Sequence, residues 1–196
     1  MSNQETAQTA VQGPEYQGVS IPPAGRYELD PTHTVVGFVA RHMLSKVRGQ
    51  FTEFTGTIEV ADSPEDSRVE VEVKTGSITT HTDKRDQHLM SGDFLEIAKH
   101  PVLSFRSTAL RPTGGTSFEL DGDLTIKDIT RPVTLSGEFL GWGPNMQGDP
   151  MLAASAKTRI DREDWGMTWN MAVEAGGFLV GKKVDLEIEV EAHLVS

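Results

Sequence analysis

The sequence VDLEIEVEAHL, residues 184–194, decides the fold class of this chain. Apolar residues occupy every second position from Val184 to Leu194, and acidic residues or a histidine stand between them. Side chains of a β-strand point alternately to its two faces, so this pattern predicts a strand with one apolar and one polar face. A helix of the same length would instead need apolar residues at every third or fourth position.

The same alternation recurs along the chain after residue 25. It predicts an all-β fold of about eight or nine strands, and the scarcity of helices between them indicates an antiparallel sheet. Two short helices are predicted at 83–90 and 93–99. Alternation alone does not choose between a closed barrel and two packed sheets. The predicted strands cover residues 27–29, 35–42, 51–60, 69–73, 103–110, 118–126, 133–139, 152–160 and 184–194.

Residues 1–24 show no such periodicity and are rich in Gln, Thr, Gly and Pro. We interpret them as a disordered N-terminal tail that precedes a single domain of residues 25–196. Deleting residues 1–24 should then leave folding and ligand binding intact. The alternative is that the tail docks a partner.

The charge balance argues against polyanionic partners. The chain has 29 acidic and 18 basic residues, and its formal net charge is −11. Affinity for phosphate depends on Lys and Arg, so nucleic acid and anionic membrane surfaces are not expected partners. Cysteine is absent, which excludes disulfide and thiolate chemistry.

The N-terminal sequence has neither the basic start nor the apolar core of a secretory signal. No run of residues reaches the roughly 20 apolar positions that a membrane-spanning helix requires. We therefore expect a soluble, cytoplasmic protein without an integral membrane segment.

Small residues at inward positions raise the question of a hollow interior. An eight-stranded barrel is filled by its own side chains or holds one small ligand. Small inward side chains leave space that larger neighbours fill or that a guest occupies, and both outcomes stay open here. These residues are Ala40, Gly56, Gly122, Gly137, Ala154 and Ala156.

The segment WGMTWNM, residues 165–171, is a second apolar feature. An extended backbone would place Trp165, Met167, Trp169 and Met171 on one side. Thioethers adapt to irregular shapes, so such a surface suits a flexible apolar guest. The alternative is an ordinary core strand or a lid on the barrel.

Three polar residues are candidates for contact with a ligand head group. His42 shares the parity of Phe38 and Ala40, so it should point inward, either as a hydrogen-bonded neutral histidine or as a polar anchor. His33 lies near the start of the same strand, at the barrel mouth. Arg85 either binds an anionic head group or bonds backbone carbonyls at a strand end.

A charged corner follows the strand at 152–160. We interpret it as a solvated network of ion pairs that contributes little to stability. Its members are Arg159, Asp161, Arg162, Glu163 and Asp164.

No motif demands catalysis, a metal or a cofactor. The six histidines show no HExxH spacing, and neither GxSxG nor a phosphate-binding glycine loop is present. The alternative is a small enzyme acting on a lipid or amide through His42, Arg85 and Asp86. It requires these three groups to converge at a pocket. A structural interaction protein that uses the tail or an exposed strand edge is a third alternative.

An ordered series of motifs resembles the YceI-like, or polyisoprenoid-binding, proteins. The resemblance covers residues 26–195, and its one departure is Trp165, where the family often has Phe. The motifs are YELDPTHT (27–34) with Val36, Phe38 and His42, GQFTEFTG (49–56), SITT (77–80), Arg85-Asp86, His88-Leu89, Asp93-Phe94, HPVLSF (100–105), GDLTI (122–126), IDR (160–162), Trp165-Gly166 and VGKKV (180–184).

The resemblance implies an extended, lipocalin-like antiparallel β-barrel that encloses a long apolar chain such as a polyprenyl tail. It also implies homodimers and a non-catalytic role in binding, storing or transporting isoprenoid quinones or related lipids. The resemblance, combined with the face of each strand that points inward, predicts the ligand-binding residues. They are Phe38, Ala40, His42, Phe54, Ile58, Phe105, Leu124, Ile126, Leu135, Trp165, Met167 and Trp169.

Overall fold

The structure, a computed structural model, describes residues 13–172 and 179–195. Within these residues it contains one α-helix, α1 (Asp83–Met90), and three short 3-10 turns, Pro64–Asp66, Thr75–Ser77 and Arg162–Trp165. The strands are β1 (Glu15–Tyr16), β2 (Val19–Ser20), β3 (Gly25–Leu29), β4 (Val35–His42), β5 (Ser45–Phe51), β6 (Phe54–Val60), β7 (Arg68–Lys74), β8 (Ile78–Thr79), β9 (Val102–Gly114), β10 (Ser117–Ile126), β11 (Ile129–Pro144), β12 (Pro150–Asp161) and β13 (Val180–Leu194).

The sheet closes on itself as an antiparallel barrel. Its order is β12-β11-β10-β9-β7-β6-β3-β13, and β13 pairs back onto β12 from Lys183 to His193. Three strands of the barrel are each broken in two, because β4, β5 and β8 continue the lines of β3, β6 and β7. Counted in this way, the described part of the chain forms an eight-stranded barrel. The predicted all-β antiparallel barrel with a short helix is therefore confirmed.

The break between β3 and β4 has a local cause. Pro31 has no backbone N–H to donate to a ladder, and a turn forms in which the Thr34 N–H donates to the Asp30 carbonyl at 2.9 Å. Strands β3 and β4 both pair with β13, β3 at its C-terminal end and β4 further towards its N-terminus. The long, strictly alternating strand β13 thus holds both halves in register.

The predicted helix at 83–90 is confirmed as α1, whereas residues 93–99 form consecutive turns. Glu96 takes a left-handed conformation with φ of 50°, which interrupts a helix. The Lys99 and His100 amides both donate to the Glu96 carbonyl, at 2.9 and 3.0 Å.

The N-terminal segment differs from the predicted tail over residues 13–24. Strands β1 and β2 form a hairpin around Gln17 and Gly18, which have φ of 49° and 80°. Positive φ at both turn residues is the geometry that joins two strands through a two-residue loop. The remainder of the predicted tail, residues 1–12, lies outside the described residues.

The interior has an apolar cluster towards each end. One contains Phe38, Phe94 and Trp165, and the other contains Tyr27, Leu152 and Ala192. We call the first the helix end, because α1 lies there, and the second the hairpin end, after β1 and β2. Among the described residues, no helix is long and apolar enough to cross a membrane.

Candidate functional site

A cavity of about 400 Å³ runs through the barrel from the hairpin end to the helix end. Its wall includes Leu152 and Ile160 on the same strand, eight residues apart, so it extends for about 26 Å along β12 at roughly 3.3 Å per residue. A volume of this size falls within the range of about 300–1,000 Å³ that small-molecule sites occupy. The shape is therefore that of a long, narrow apolar channel.

Strand alternation builds the wall of this cavity. On β13, Val184, Leu186, Ile188 and Val190 all line it, while the acidic residues between them do not. Leu124, Ile126 and Leu135 line it from β10 and β11. The apolar residues of the alternating pattern that predicts the strands are thus the residues that face the cavity.

Five of the six small inward residues divide into two groups, and a Cβ added at the sixth, Gly56, would collide with the Leu29 side chain. A Cβ added at Gly122 or Gly137 would collide with the ring of Phe105 or Phe118, so phenylalanine rings already occupy the space that these glycines leave. By contrast, the alanines at 40, 154 and 156 line the cavity itself. The glycines therefore accommodate packing, and the alanines widen the channel.

The hairpin lies across one end of the cavity. Tyr16 and Val19 line it from the hairpin, and Ile21 and Pro22 from the residues that follow. Two side-chain hydrogen bonds attach the hairpin to the barrel. The Tyr16 hydroxyl donates to the Glu65 carboxylate, and the Trp142 indole N–H donates to Ser20 Oγ at 3.0 Å. Residues that the sequence indicates as a tail therefore form part of the channel wall at this end.

At the other end, α1 and the turns after it close the barrel. Leu89, Phe94 and Leu95 line the cavity there together with Met167. Trp169 stacks edge-on against His88, with ring centroids 4.5 Å apart, behind this layer. The wall at this end is therefore built from side chains of the domain itself.

Arg162 stands at the helix end and is 3% exposed. It lines the cavity, and among the described lining residues it is the only one with a charged side chain. The sequence assigns it to a solvated corner, which is wrong for this residue, although Arg159 does pair with Asp185 at 2.5 Å. Arg162 is the first residue of the 3-10 turn that follows β12, so the alternation of that strand does not predict its direction.

Eight of the predicted ligand-binding residues lie in the cavity wall, and their contact with a ligand stays a prediction. They are Phe38, Ala40, Ile58, Phe105, Leu124, Ile126, Leu135 and Met167.

The other four predicted ligand-binding residues are not among the lining residues. His42 ends β4 at the two-residue turn to Ser45, where pairing with β13 also shifts register. Phe54 is buried opposite Val73 on β7.

Trp165 belongs to a 3-10 turn, is 2% exposed, and donates its indole N–H to the Leu124 carbonyl at 3.2 Å. Trp169 packs behind Phe94. Because residues 162–165 form a turn, the strand parity assumed for residues 165–171 does not apply, and Met171 is exposed.

Arg85 forms hydrogen bonds to the loop that precedes α1. Its guanidinium donates to the Thr80 carbonyl at 2.9 Å and to the Thr80 hydroxyl at 2.7 Å. Asp86 is buried beside it and accepts from the Thr80 backbone N–H at 2.8 Å and from the Thr79 hydroxyl at 3.2 Å. Burial alone would raise the pKa of Asp86, but a hydrogen bond from the Thr80 hydroxyl, together with these two bonds and the charge of Arg85, holds it below its usual value.

The convergence of His42, Arg85 and Asp86 that an enzyme would need is not seen. Among the described residues no hydrogen bond links His42 to the other two, and none of the three lines the cavity. Arg85 instead bonds a backbone carbonyl, which is the structural role that the sequence left open.

His33 belongs to a carboxylate cluster outside the cavity wall. Its Nδ1 lies 2.6 Å from Asp30 Oδ2 and 3.7 Å from Glu191 Oε2, and these three groups are close enough together to hold a metal ion. The short contact with Asp30 is a hydrogen bond between the His33 ring nitrogen and the carboxylate. That hydrogen bond lowers the pKa of Asp30 to about 2 and raises the pKa of His33.

The pH dependence of this pair follows from the two shifts. Asp30 is stabilising above its ordinary pKa of 3.8, and that contribution is lost as pH falls through about 2. His33 is stabilising below its ordinary pKa of 6.5, and that contribution is lost as pH rises through the raised value. The pair therefore contributes most to the free energy of unfolding between pH 3.8 and pH 6.5.

Replacing Asp30 by asparagine should move the pKa of His33 down towards 6.5, because the largest cause of its shift is removed. The His33 Cε1–Hε1 resonance, followed by NMR from pH 4 to 9, measures this. Glu191→Gln is the matched control and should give a smaller change, since Glu191 acts only through its more distant charge. An unchanged His33 pKa in Asp30→Asn would contradict the assignment.

Fold and cavity together define the class of this protein, an antiparallel β-barrel enclosing a long apolar channel. The sequence pattern of the YceI-like domain family matches residues 27–192, and the chain belongs to this family. A UPF0312 protein of Azotobacter vinelandii is 33% identical over 161 residues, which cover 81% of each chain.

Solved structures share the fold. Burkholderia cenocepacia BcnA aligns with a TM-score of 0.74 at 17% identity, over 83% of this chain and 98% of that chain. A polyisoprenoid binding domain from Saccharophagus degradans aligns with a TM-score of 0.64 at 12% identity, over 88% and 100%. At these identities the two likenesses show the fold alone. The YceI-like match begins at Tyr27, so the N-terminal hairpin lies before the part that the family model covers.

Proposed function

We propose that this protein binds one long apolar lipid chain, such as a polyisoprenoid or the tail of an isoprenoid quinone, inside its barrel. The observation that carries the proposal is the cavity, which is long, narrow and walled almost wholly by aliphatic and aromatic side chains. An apolar cavity of this kind excludes water and favours an apolar guest. The description of the Saccharophagus degradans domain as polyisoprenoid binding supports the same ligand class.

The proposed role is storage or transport without catalysis. The cavity wall offers a guest packing contacts along its whole length and no pair of groups arranged for acid–base or nucleophilic chemistry among the described residues. Cytoplasmic location and homodimer formation, which the sequence analysis expects, stay predictions.

Binding should strengthen as the guest becomes longer. Each methylene removed from water contributes about 0.8 kcal/mol, or about fourfold in affinity, until the chain fills the channel. We expect this increase for neutral n-alkanols of 8 to 16 carbons, followed by a plateau. Displacement of the neutral dye N-phenyl-1-naphthylamine from the purified protein measures the series.

The nature of the natural guest is accessible from the same preparation. Native mass spectrometry of the purified protein, followed by organic extraction, should show a mass increment that is lost on extraction. A protein that neither retains a lipid nor binds the alkanols with chain-length dependence would overturn the proposed function.

A further inference from the structure

Arg162 is buried and lines the apolar cavity. Among the described residues, no carboxylate lies within 4.0 Å of it. The two acidic neighbours in sequence are already paired, Asp161 with Lys183 at 3.2 Å and Glu163 with Lys182 at 2.8 Å. A charge removed from water is costly unless it is paired and hydrogen-bonded. Among the described residues of the wall, the charge at this end of the cavity is therefore positive and has no carboxylate partner.

Backbone carbonyls account for part of the bonding capacity of Arg162. Its Nε donates to the Gly181 carbonyl at 3.0 Å, one Nη to the Met167 carbonyl, and the other to the Val180 carbonyl at 3.5 Å. A guanidinium has five N–H donors, so these three bonds leave two. The bonds fix the side chain in place, and carbonyl oxygens, which are neutral, are its only hydrogen-bond partners in the described part of the chain.

The surroundings strengthen the electrostatic argument. The Phe94 ring centroid lies 5.7 Å from the guanidinium carbon, and Phe94 lines the same end of the cavity. Burial lowers the pKa of Arg162, and the charges of Glu163 and Asp161 oppose this shift only in part. A ligand anion at this position would have a fixed, weakly hydrated cation to bind.

We propose that the cavity takes single-chain lipids with an anionic head group, a carboxylate or a phosphate, with the head group at Arg162 and the chain directed towards the hairpin. This inference rests on the proposed function and adds the chemistry and the orientation of the ligand. A carboxylate or phosphate oxygen accepts the remaining guanidinium N–H groups in a charge-assisted pair. The apolar channel then holds the chain, and the hairpin covers its far end.

Four probes of one chain length test the head group: hexadecanoate, hexadecyl phosphate, hexadecanol and methyl hexadecanoate. At pH 7.5 the two anions should bind at least roughly tenfold more tightly than the two neutral probes, as expected for a charge-assisted pair. Displacement of N-phenyl-1-naphthylamine measures these affinities. The tighter of the two anions identifies the head group as carboxylate or phosphate. Equal affinity of all four would overturn the inference and leave the proposed function standing, whereas no displacement by any would overturn both.

Arg162 variants should show where the preference arises. Arg162→Met should lose the tenfold preference while still binding the neutral probes, and Arg162→Lys should keep part of it. Far-UV circular dichroism checks that each variant is folded. A folded Arg162→Met variant that still prefers the anions would overturn the inference.

Tryptophan quenching tests the orientation in a protein with Arg162 intact. In Trp142→Phe the remaining indoles, Trp165 and Trp169, both lie at the helix end. A bromine atom quenches nearby indoles, so 2-bromohexadecanoate should quench more strongly than 16-bromohexadecanoate. Stronger quenching by the 16-bromo probe would place the head group at the hairpin end and overturn the inference.

Discussion

Replacing Ala154 and Ala156 together by phenylalanine is expected to weaken long-chain lipid binding at least roughly a hundredfold, which corresponds to about 2.7 kcal/mol. Both alanines line the cavity midway along β12. Two phenyl rings would occupy the part of the channel through which the chain must pass, so a guest could no longer extend from one end to the other. Dye displacement by hexadecanol measures the loss.

The fold of this double variant should survive, because the rings enter existing space. Crowding of a packed core costs about 1–3 kcal/mol, and a cavity should reduce that cost. The matched control is Lys157→Phe, which adds a ring to the exposed outer face of the same strand and should leave lipid affinity unchanged. Undiminished binding by the double variant would show that the ligand does not use this channel.

Deleting residues 1–22 should speed lipid dissociation by at least roughly tenfold, the effect of about 1.4 kcal/mol. The deletion removes the hairpin, and with it the cavity wall formed by Tyr16, Val19, Ile21 and Pro22. The barrel should still fold, because Pro23 is retained and its carbonyl accepts from the buried Tyr27 hydroxyl at 2.9 Å. Stopped-flow transfer of a fluorescent long-chain lipid to vesicles measures the rate.

A deletion of residues 1–12 is the control for length. It keeps the hairpin and its bonds to Glu65 and Trp142, so the dissociation rate should match that of the full chain. Equal rates for both deletions and the full chain would instead support the tail interpretation, in which the whole segment is dispensable for binding. The two deletions therefore distinguish a hairpin that retains the lipid from a tail that is dispensable for binding.

Much of the cavity wall was predictable from single strands. A residue such as Leu186 faces inward because its neighbours in the strand are acidic and must face water, and this relation depends only on the two-residue period of extended chain. The same argument correctly places Phe38, Ala40 and Ile126 in the wall. It does not extend to Arg162, which lies in the turn after β12.

The two-residue period no longer predicts the direction of a side chain where the backbone departs from a regular strand. His42 has inward parity, but its strand ends in a tight turn at that point. Trp165 and Trp169 lie at and beyond a 3-10 turn, so counting by twos does not describe their directions. The hairpin was missed because its strands are two residues long and leave no periodic signal, although Gln17-Gly18 suits a two-residue turn.

The alternating stretch at residues 184–194 by itself determined that this protein is built from strands with one apolar face, because that property belongs to the local chain. Tertiary structure alone decided that the sheet closes, since closure depends on β13 finding β12 on one edge and β3 and β4 on the other. It also decided that rings fill the spaces beside Gly122 and Gly137 while those beside Ala154 and Ala156 stay open. Cross-strand register sets which side chains meet, and register joins residues that are far apart in sequence.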